Sequence, residues 1–339
     1  MHYGCIIKFS LYILLFAFPY VSCSSSPVIE ISESEEIEEK TNKTEKFLNV
    51  LYIGSSFGVC TFVQFPALAA SAGIKIIGGN LYKGSCTLKD VASICSCNGD
   101  FETGAIFSYI SNKWEFSSKN ILDMLHEVEW DIVVLQRAAP GKNGGCDQWD
   151  DEMAEELRYI ISYITENTHK RPLIYFSSCF SRSVGTLGSR ENQLESVEKI
   201  ISTSLQVRDE FDVEIIPAAT AVQNARFTTL ANVATFNSNH YPIPDMTGEG
   251  DHLDTGLGSY VLGCLMFEQI CGKFYEMSIS DLDYIPTLKD VQNNACGFKD
   301  ECFTEVTKEQ SEIVKDVIMS TMRAPWSVNY NMEQDNASI

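Results

Sequence analysis

The sequence predicts a doubly wound α/β/α sandwich built on a mostly parallel, five-stranded sheet. Two observations carry that expectation. Five short runs, "FLNVLYIG" (47–54), "IKIIGGNLY" (74–82), "DIVVLQ" (131–136), "PLIYFSS" (172–178) and "FDVEIIPA" (211–218), are nearly continuous in Val, Ile, Leu and aromatic residues. Strands buried on both faces read this way, whereas half-exposed strands alternate. Between the later runs, "DDEMAEELRYIISYITENT" (150–168) and "ENQLESVEKIISTSLQVRDE" (191–210) space their apolar residues three and four apart, as helices covering a sheet do.

In chain order, residues 1–23 read as an export signal: His2 and Lys8 near the start, an apolar run from Leu11 to Phe18, then Ser22 and Cys23. The run is too short to span a bilayer. Cys23 followed by three serines also fits a lipoprotein junction, although Tyr20 stands where Leu is usual. Both versions place the mature protein outside the cytoplasm, secreted or as a cell-surface or periplasmic lipoprotein with a lipid anchor at Cys23. Residues 24–46 are acidic, polar and without aromatics, a flexible linker. The folded domain is expected over 47–273. After the first strand, "VCTFVQFPALAASAG" (59–73) predicts a helix kinked at Pro66. "FETGAIFSYISNKWEFS" (101–117) alternates like a hairpin and forms an insertion before the third strand. Residues 274–339 are a loop-rich extension with one helix, near 307–322, packed on the domain.

The 339 residues are 45% hydrophobic, enough for a sizeable core, and carry a net charge of −21. That charge argues against nucleic acid or an anionic membrane surface as partner. Ten cysteines follow Cys23, an even number that permits disulfides in an exported chain. Cys296 and Cys302, in a polar C-terminal loop, are the first pair to suspect. Cys95 and Cys97 are separated by one residue and no Cys-x-x-Cys pair or His cluster is present, so no metal is expected. "NKT" at Asn42 and "NAS" at Asn336 are glycosylation sequons that matter in a eukaryotic host. Dinucleotide and phosphate-loop fingerprints are missing, as is G-x-S-x-G, and no cofactor is expected.

The first strand ends "GSSFG" (54–58). A turn or helix N-cap explains adjacent hydroxyls, and so does a nucleophile at the carboxyl end of a strand, where doubly wound sheets bind ligands. A serine nucleophile needs a histidine base and an acid to orient it. Of five histidines, His2 lies in the signal, His126 in a helical stretch, His169 in a polar loop and His240 near two prolines. His252, in "TGEGDHLDTGLGSYVLG", alone combines flexible flanks, nearby acids and a position after the last strand.

Together these blocks resemble the SGNH (GDSL-type) hydrolases, whose Gly-Asp-Ser-Leu block carries the nucleophile and whose last block is Asp-x-x-His. They are similar in particular to an uncharacterised branch from gut-type bacteria with "IGNSF", "LYIGGCSL", "WDYVxLQ" and "DGxHL…GxYxL". Here the same order reads "YIGSSF", "LYKGSCTL", "WDIVVLQ" and "EGDHLDTGLGSYVL", covering about 47–273. The resemblance implies a flavodoxin-like sandwich of the SGNH type and an esterase without metal or cofactor. It makes Ser56 the nucleophile, His252 the base and Glu249 the orienting acid, with Asp251 the alternative. It implies an oxyanion hole from the Ser56 N–H, a backbone N–H of Gly84 or Ser85, and the Gln136 amide, where the family usually has Asn. Ser55, Arg137 and Arg226 are candidate substrate contacts, with Gln223 at the rim. The chain departs from the family at Glu249, which is longer than Asp, and at Ser85, which replaces a Gly and matters if φ is positive there. Lys83 and Arg137 read as cations at the mouth or as solvent-facing side chains.

The function expected is hydrolysis of a small-molecule or glycan ester through an acyl-serine, in the first place removal of acyl groups such as acetyl from carbohydrates. Lipid-ester hydrolysis, a non-catalytic glycan-binding protein on the same scaffold, and Cys60 as nucleophile are the alternatives.

Overall fold

The computed structural model describes residues 45–232, 235–236, 242–243, 245–248, 252–291 and 303–329. The strands of the main sheet are β1 (Lys46–Gly54), β2 (Ile74–Tyr82), β3 (Thr103–Ser108), β4 (Lys113–Phe116), β5 (Ile132–Leu135), β6 (Leu173–Ser177) and β7 (Glu214–Ile216), and Thr235–Phe236 pairs antiparallel with Pro242–Ile243 apart from it. They form one sheet in the order β4-β3-β2-β1-β5-β6-β7. The run β2-β1-β5-β6-β7 is parallel. Thus the chain leaves β1 to one side, towards β2, and later returns to its other side as β5. The crevice at the carboxyl ends of β1 and β5 is therefore the switch point of the sheet, where such folds bind their ligands.

The two-residue period of a strand explains how β1 serves two cores. Leu48, Val50 and Tyr52 enter one apolar cluster, while Leu51 and Ile53 enter the other. On the first face lie α1 (Ser56–Phe62), α2 (Phe65–Ser71), α8 (Ala218–Arg226) and α9 (Leu257–Met266). On the second lie α3 (Leu88–Ser96), α4 (Ile121–Glu127) and α5 (Asp151–Glu166). The long α7 (Arg190–Phe211), preceded by the single turn α6 (Val184–Leu187), contributes to both. Side-chain caps start several of these helices: Thr87 and Asp90 form a capping box on α3, and Asn120, Asp150 and Ser189 cap α4, α5 and α7.

Three elements differ from the sequence expectation. The sheet has seven strands instead of five, because the inserted hairpin lies along β2: β3 pairs with it antiparallel from Thr103 opposite Tyr82 to Ser108 opposite Ile77. The pairing satisfies backbone groups that an edge strand would leave bare. The helix expected over 59–73 starts earlier and is broken into α1 and α2 at Val63–Gln64. Pro66 has no N–H to donate back to the preceding turn and sits instead in the first turn of α2. The last strand is only Glu214–Ile216, since Phe211 closes α7 and Pro217 cannot join the ladder.

The C-terminal helix, Lys308–Arg323, is capped by Thr307 and buries Val314, Val317 and Ile318 in the same cluster as α8 and α9. Asn224 Nδ2 donates to Thr321 Oγ1 at 3.0 Å and Tyr260 OH meets Ser311 Oγ at 2.9 Å. Among the described residues no helix is long and apolar enough to cross a membrane.

Candidate active site

Gly54 ends β1 with both of its neighbours attached. The Lys83 N–H donates to the Gly54 carbonyl, and the Gln136 N–H donates to that of Ile53. A Cβ on Gly54 would lie 2.8 Å from Gln136 Oε1, so only glycine lets the two strand ends come this close. The chain then turns into α1 within one residue. Ser55 occupies the N-cap position, yet its hydroxyl makes no cap bond. Ser55 N–H and Oγ–H both donate to Gln136 Oε1, at 3.0 and 2.9 Å. The two hydroxyls of "GSSFG" therefore part ways. Ser55 is buried against the end of β5, and Ser56, the first residue of α1, faces outward and half-exposed.

The Ser56 Oγ lies 2.7 Å from His252 Nε2, a hydrogen bond within nucleophile–base reach. The sequence separation is 196 residues. Phe57 tilts against the imidazole with ring centroids 5.2 Å apart and is itself stacked on Phe180 at 4.5 Å. His252 sits on a narrow loop. Thr247 and Leu253 form an antiparallel bridge, the Gly248 N–H donates to the His252 carbonyl at 2.7 Å, and the Asp254 N–H donates to that of Met246.

Two buried aspartates anchor the loop. At its start Asp245 Oδ2 accepts from the Val184 N–H at 2.9 Å and from Gln193 Nε2 at 3.0 Å, while Oδ1 accepts from Arg190 at 3.3 Å. Burial alone would raise this carboxyl, but Arg226, the Val184 amide, Arg190 and Gln193 together hold it below its ordinary value. At the other end Asp254 accepts from the backbone amides of Gly256, Gly258 and Thr304 at 2.9, 3.1 and 3.4 Å. Here burial outweighs the amides and pushes the carboxyl up to about 7. Asp254 is thus committed to the start of α9. Glu249 and Asp251, the acids expected to orient His252, lie outside the described residues.

As the first residue of α1, Ser56 has an N–H without an intrahelical acceptor. Two other expected donors are otherwise engaged. Gln136 is 2% exposed, and its Nε2 donates to the Arg137 carbonyl and to Cys179 Sγ at 3.6 Å. Its amide is a brace between β1 and β5. The Gly84 N–H donates to Glu102 Oε2 at 3.0 Å, a carboxylate that would repel an oxyanion. Ser85 is exposed at the third position of a turn closed by Cys86 N–H to Lys83 O, with φ 54°. The left-handed backbone expected of a glycine there is present, carried by a serine.

A model of DUF4886, a domain of unknown function, matches residues 49–286. The chain belongs to this family. The DUF4886 span holds every strand of the main sheet except the first residues of β1, together with Ser56, His252 and both anchoring aspartates. A crystal structure of a DUF4886 protein from Bacteroides uniformis ATCC 8492 superposes with a TM-score of 0.65 at 19% identity, covering 85% of this chain and 99% of the other. A GDSL-like protein from Parabacteroides merdae ATCC 43184 gives 0.42 at 12% identity over 66% of this chain and 96% of the other, a likeness too slight to bear on the site. No curated protein matches.

The remaining candidates of this DUF4886 chain serve the framework. Arg137, expected at the mouth, is 1% exposed, donates to the carbonyls of Gln148 and Cys146 at 2.5 and 3.0 Å, and lies over Trp149 and Phe176. Burial lowers its pKa. Arg226, expected as a substrate contact, is 2% exposed and donates to the carbonyl of Ser181 at 2.9 Å. Ser55 has both polar groups spent on Gln136, and Gln223 donates to Gln193. Lys83 pairs with Asp90 at 2.8 Å. Cys60 Sγ, the alternative nucleophile, is buried between the carbonyls of Ser56 and Leu253. His126 and His169 stack on each other away from the site. Eight cysteines are free among the described residues, while Cys296 and Cys302 lie outside them.

Sequence reasoning missed Phe180 and Asp245. Phe180 follows β6 in "SSCFSR" as an apolar residue where a loop should be polar, a signal that was available. Asp245, in "PIPDM", carries no such mark, because its partners lie 52 to 61 residues away.

Proposed function

We propose that this chain is an exported serine ester hydrolase, acting through an acyl-serine intermediate and releasing acyl groups such as acetyl from carbohydrates. One observation carries the reading: the 2.7 Å contact between Ser56 Oγ and His252 Nε2 at the switch point of the sheet. Imidazole takes the hydroxyl proton as Ser56 attacks the ester carbonyl, and the tetrahedral oxyanion is received by the Ser56 N–H at the start of α1. His252 then returns the proton to the departing alcohol, and water repeats the sequence on the acyl-serine. Glu249, or Asp251, would fix the tautomer from the far side of the ring. The signal-like residues 1–23 support contact with extracellular esters.

The test is p-nitrophenyl acetate hydrolysis by the purified protein beside Ser56→Ala and Ser55→Ala. Ser56→Ala is expected to lose about a thousandfold or more in kcat/KM and all labelling by a fluorophosphonate. Ser55→Ala should lose stability and keep labelling. Wild-type protein inert to both reagents would leave a glycan-binding protein on this scaffold as the better reading.

A further inference from the structure

Ser56, Cys60 and Gln64 recur at every fourth residue of α1 and the turn that leads into α2, and Val63 and Gln64 keep right-handed helical backbone through that turn. The three side chains therefore share one face. Each meets the chain at or just after His252. Ser56 Oγ lies 2.7 Å from His252 Nε2, Cys60 Sγ lies 3.7 Å from the Leu253 carbonyl, and Gln64 Nε2 donates to the Thr255 carbonyl at 2.8 Å. The bridge within the histidine loop explains why a carbonyl is offered to α1. The His252 carbonyl and the Asp254 N–H are spent on Gly248 and Met246. In an antiparallel pair the residue between them turns its carbonyl away from the partner, which leaves that of Leu253 facing the helix.

The two contacts after Ser56 differ in strength. A thiol is a weak donor, and at 3.7 Å Cys60 contributes mainly by filling the space. Gln64 is fully buried, and its amide bond is short. It stands at the N-cap position of α2 yet makes no cap bond, so its side chain is spent on the loop instead. From the other side α9 presses on it: a Cβ on Gly263 would lie 2.8 Å from Gln64 Cβ. Without the amide the buried Thr255 carbonyl would lose a partner in a dry interior, which is costly. Asp245 and Asp254 tie the histidine loop to α6, α7 and α9. The Gln64 amide ties it to the helix that carries the nucleophile.

We propose that Gln64 is a positioning residue, whose amide sets the register in which the histidine loop meets α1 and so holds His252 Nε2 against Ser56 Oγ. It touches neither substrate nor reacting atoms and acts through the Thr255 carbonyl, three residues beyond the base. A hydrogen bond between nucleophile and base is sensitive to displacement: a misplacement of about 1 Å costs on the order of a hundredfold in rate. The effect on rate rests on the proposed esterase reading, whereas the register of loop against helix does not.

The test compares wild type with Gln64→Met, which keeps the length of the side chain without its donor, and with Asn224→Ala, which removes a bond between α8 and the C-terminal helix. Well below its Tm, Gln64→Met is expected to lose about ten- to a hundredfold in kcat on p-nitrophenyl acetate at unchanged KM. Asn224→Ala should lower Tm and keep kcat. Hydrogen exchange of a peptide spanning 246–256 should speed up in Gln64→Met, while peptides from β1 and β5 keep their wild-type rates. A wild-type kcat in folded Gln64→Met, an equal loss of kcat in Asn224→Ala, or unchanged exchange over 246–256 would overturn the proposal. If Gln64→Met does not fold, Gln64→Asn, with an amide one methylene short of Thr255, takes its place. Wild-type protein that neither hydrolyses the ester nor takes a fluorophosphonate would defeat the esterase reading, and the exchange comparison would then decide the register alone.

Discussion

Around Ser56 the chain is positioned by contact, and around His252 by buried polar atoms. Gly54 and Gly58 bring β1 and α1 against Gln136 and Tyr52 so closely that a Cβ at either would collide. The histidine loop is packed too, since a Cβ on Gly258 would lie 2.7 Å from Leu253 Cβ and 3.0 Å from the Met246 carbonyl, but buried polar anchors hold its two ends. It is held at one end by a carboxylate that gathers an amide, a glutamine and a guanidinium, and at the other by a carboxylate on helix-start amides. Steric contact tolerates no added volume, whereas a polar anchor tolerates volume and fails when a partner is removed. The two halves of the site should therefore break under different substitutions.

The largest effect on stability is expected at Asp245. Asp245→Ala leaves the Val184 N–H, Gln193 and Arg190 without their acceptor, and removal of one member of a buried charge network costs about 3–5 kcal/mol. Urea midpoints with an unchanged m value would measure it. A cost below that of adding a methyl at Gly58 would reverse the contrast between the two halves.

The two aspartates also give opposite dependences on pH. Asp254 is raised to about 7 by burial, above the ordinary unfolded value near 4. Between those values the folded state binds more protons than the unfolded one, so this group makes stability fall as pH rises from about 4 to about 7. Asp245 is lowered, so the stability it contributes is present above its unfolded pKa and lost as pH falls through the folded one. Asp254→Asn should flatten the decline between pH 5 and 7, a change of up to a few kcal/mol. An unchanged slope in the variant would show that the helix-start amides do offset the lost hydration.

Gly58→Ala probes the packed half. The new methyl would meet Tyr52 Cε1 at 2.4 Å and Gln136 Oε1 at 3.0 Å. Tyr52 cannot yield, since it is fully buried and stacked on Phe62. Overpacking of this kind costs about 1–3 kcal/mol. Because the strain falls two residues from Ser56, hydrolysis should drop further than the midpoint shift alone explains. Normal activity at a reduced midpoint would show that α1 moves as a unit with its base.

The same contrast explains what the sequence revealed. Parallel strands announce themselves as apolar runs because each buries both faces, and Gly54, Ser56 and His252 stand out because flexible residues flank chemical ones. Arg137 and Arg226 were misjudged for one reason: a long cation just after a strand, or at the last turn of the helix that follows one, looks the same whether it faces solvent or turns inward. Here the loop carbonyls at 146, 148 and 181 need donors, and the arginines supply them. Gln136 was legible as an amide at the right strand end, but its direction was set by Ser55, a partner 81 residues away.

The smallest effect belongs to Ser85, where the backbone itself is under strain. Its φ of 54° is a conformation that glycine adopts freely and serine does not. Ser85→Gly should relieve that strain but loosen the unfolded chain, leaving a net gain of about 1 kcal/mol or less. The substitution keeps the N–H, so hydrolysis should be unchanged if the side chain has no part in the reaction. A loss of rate with a gain of stability would instead assign the Ser85 hydroxyl to the substrate, and would move part of the oxyanion or alcohol site from α1 to the turn after β2.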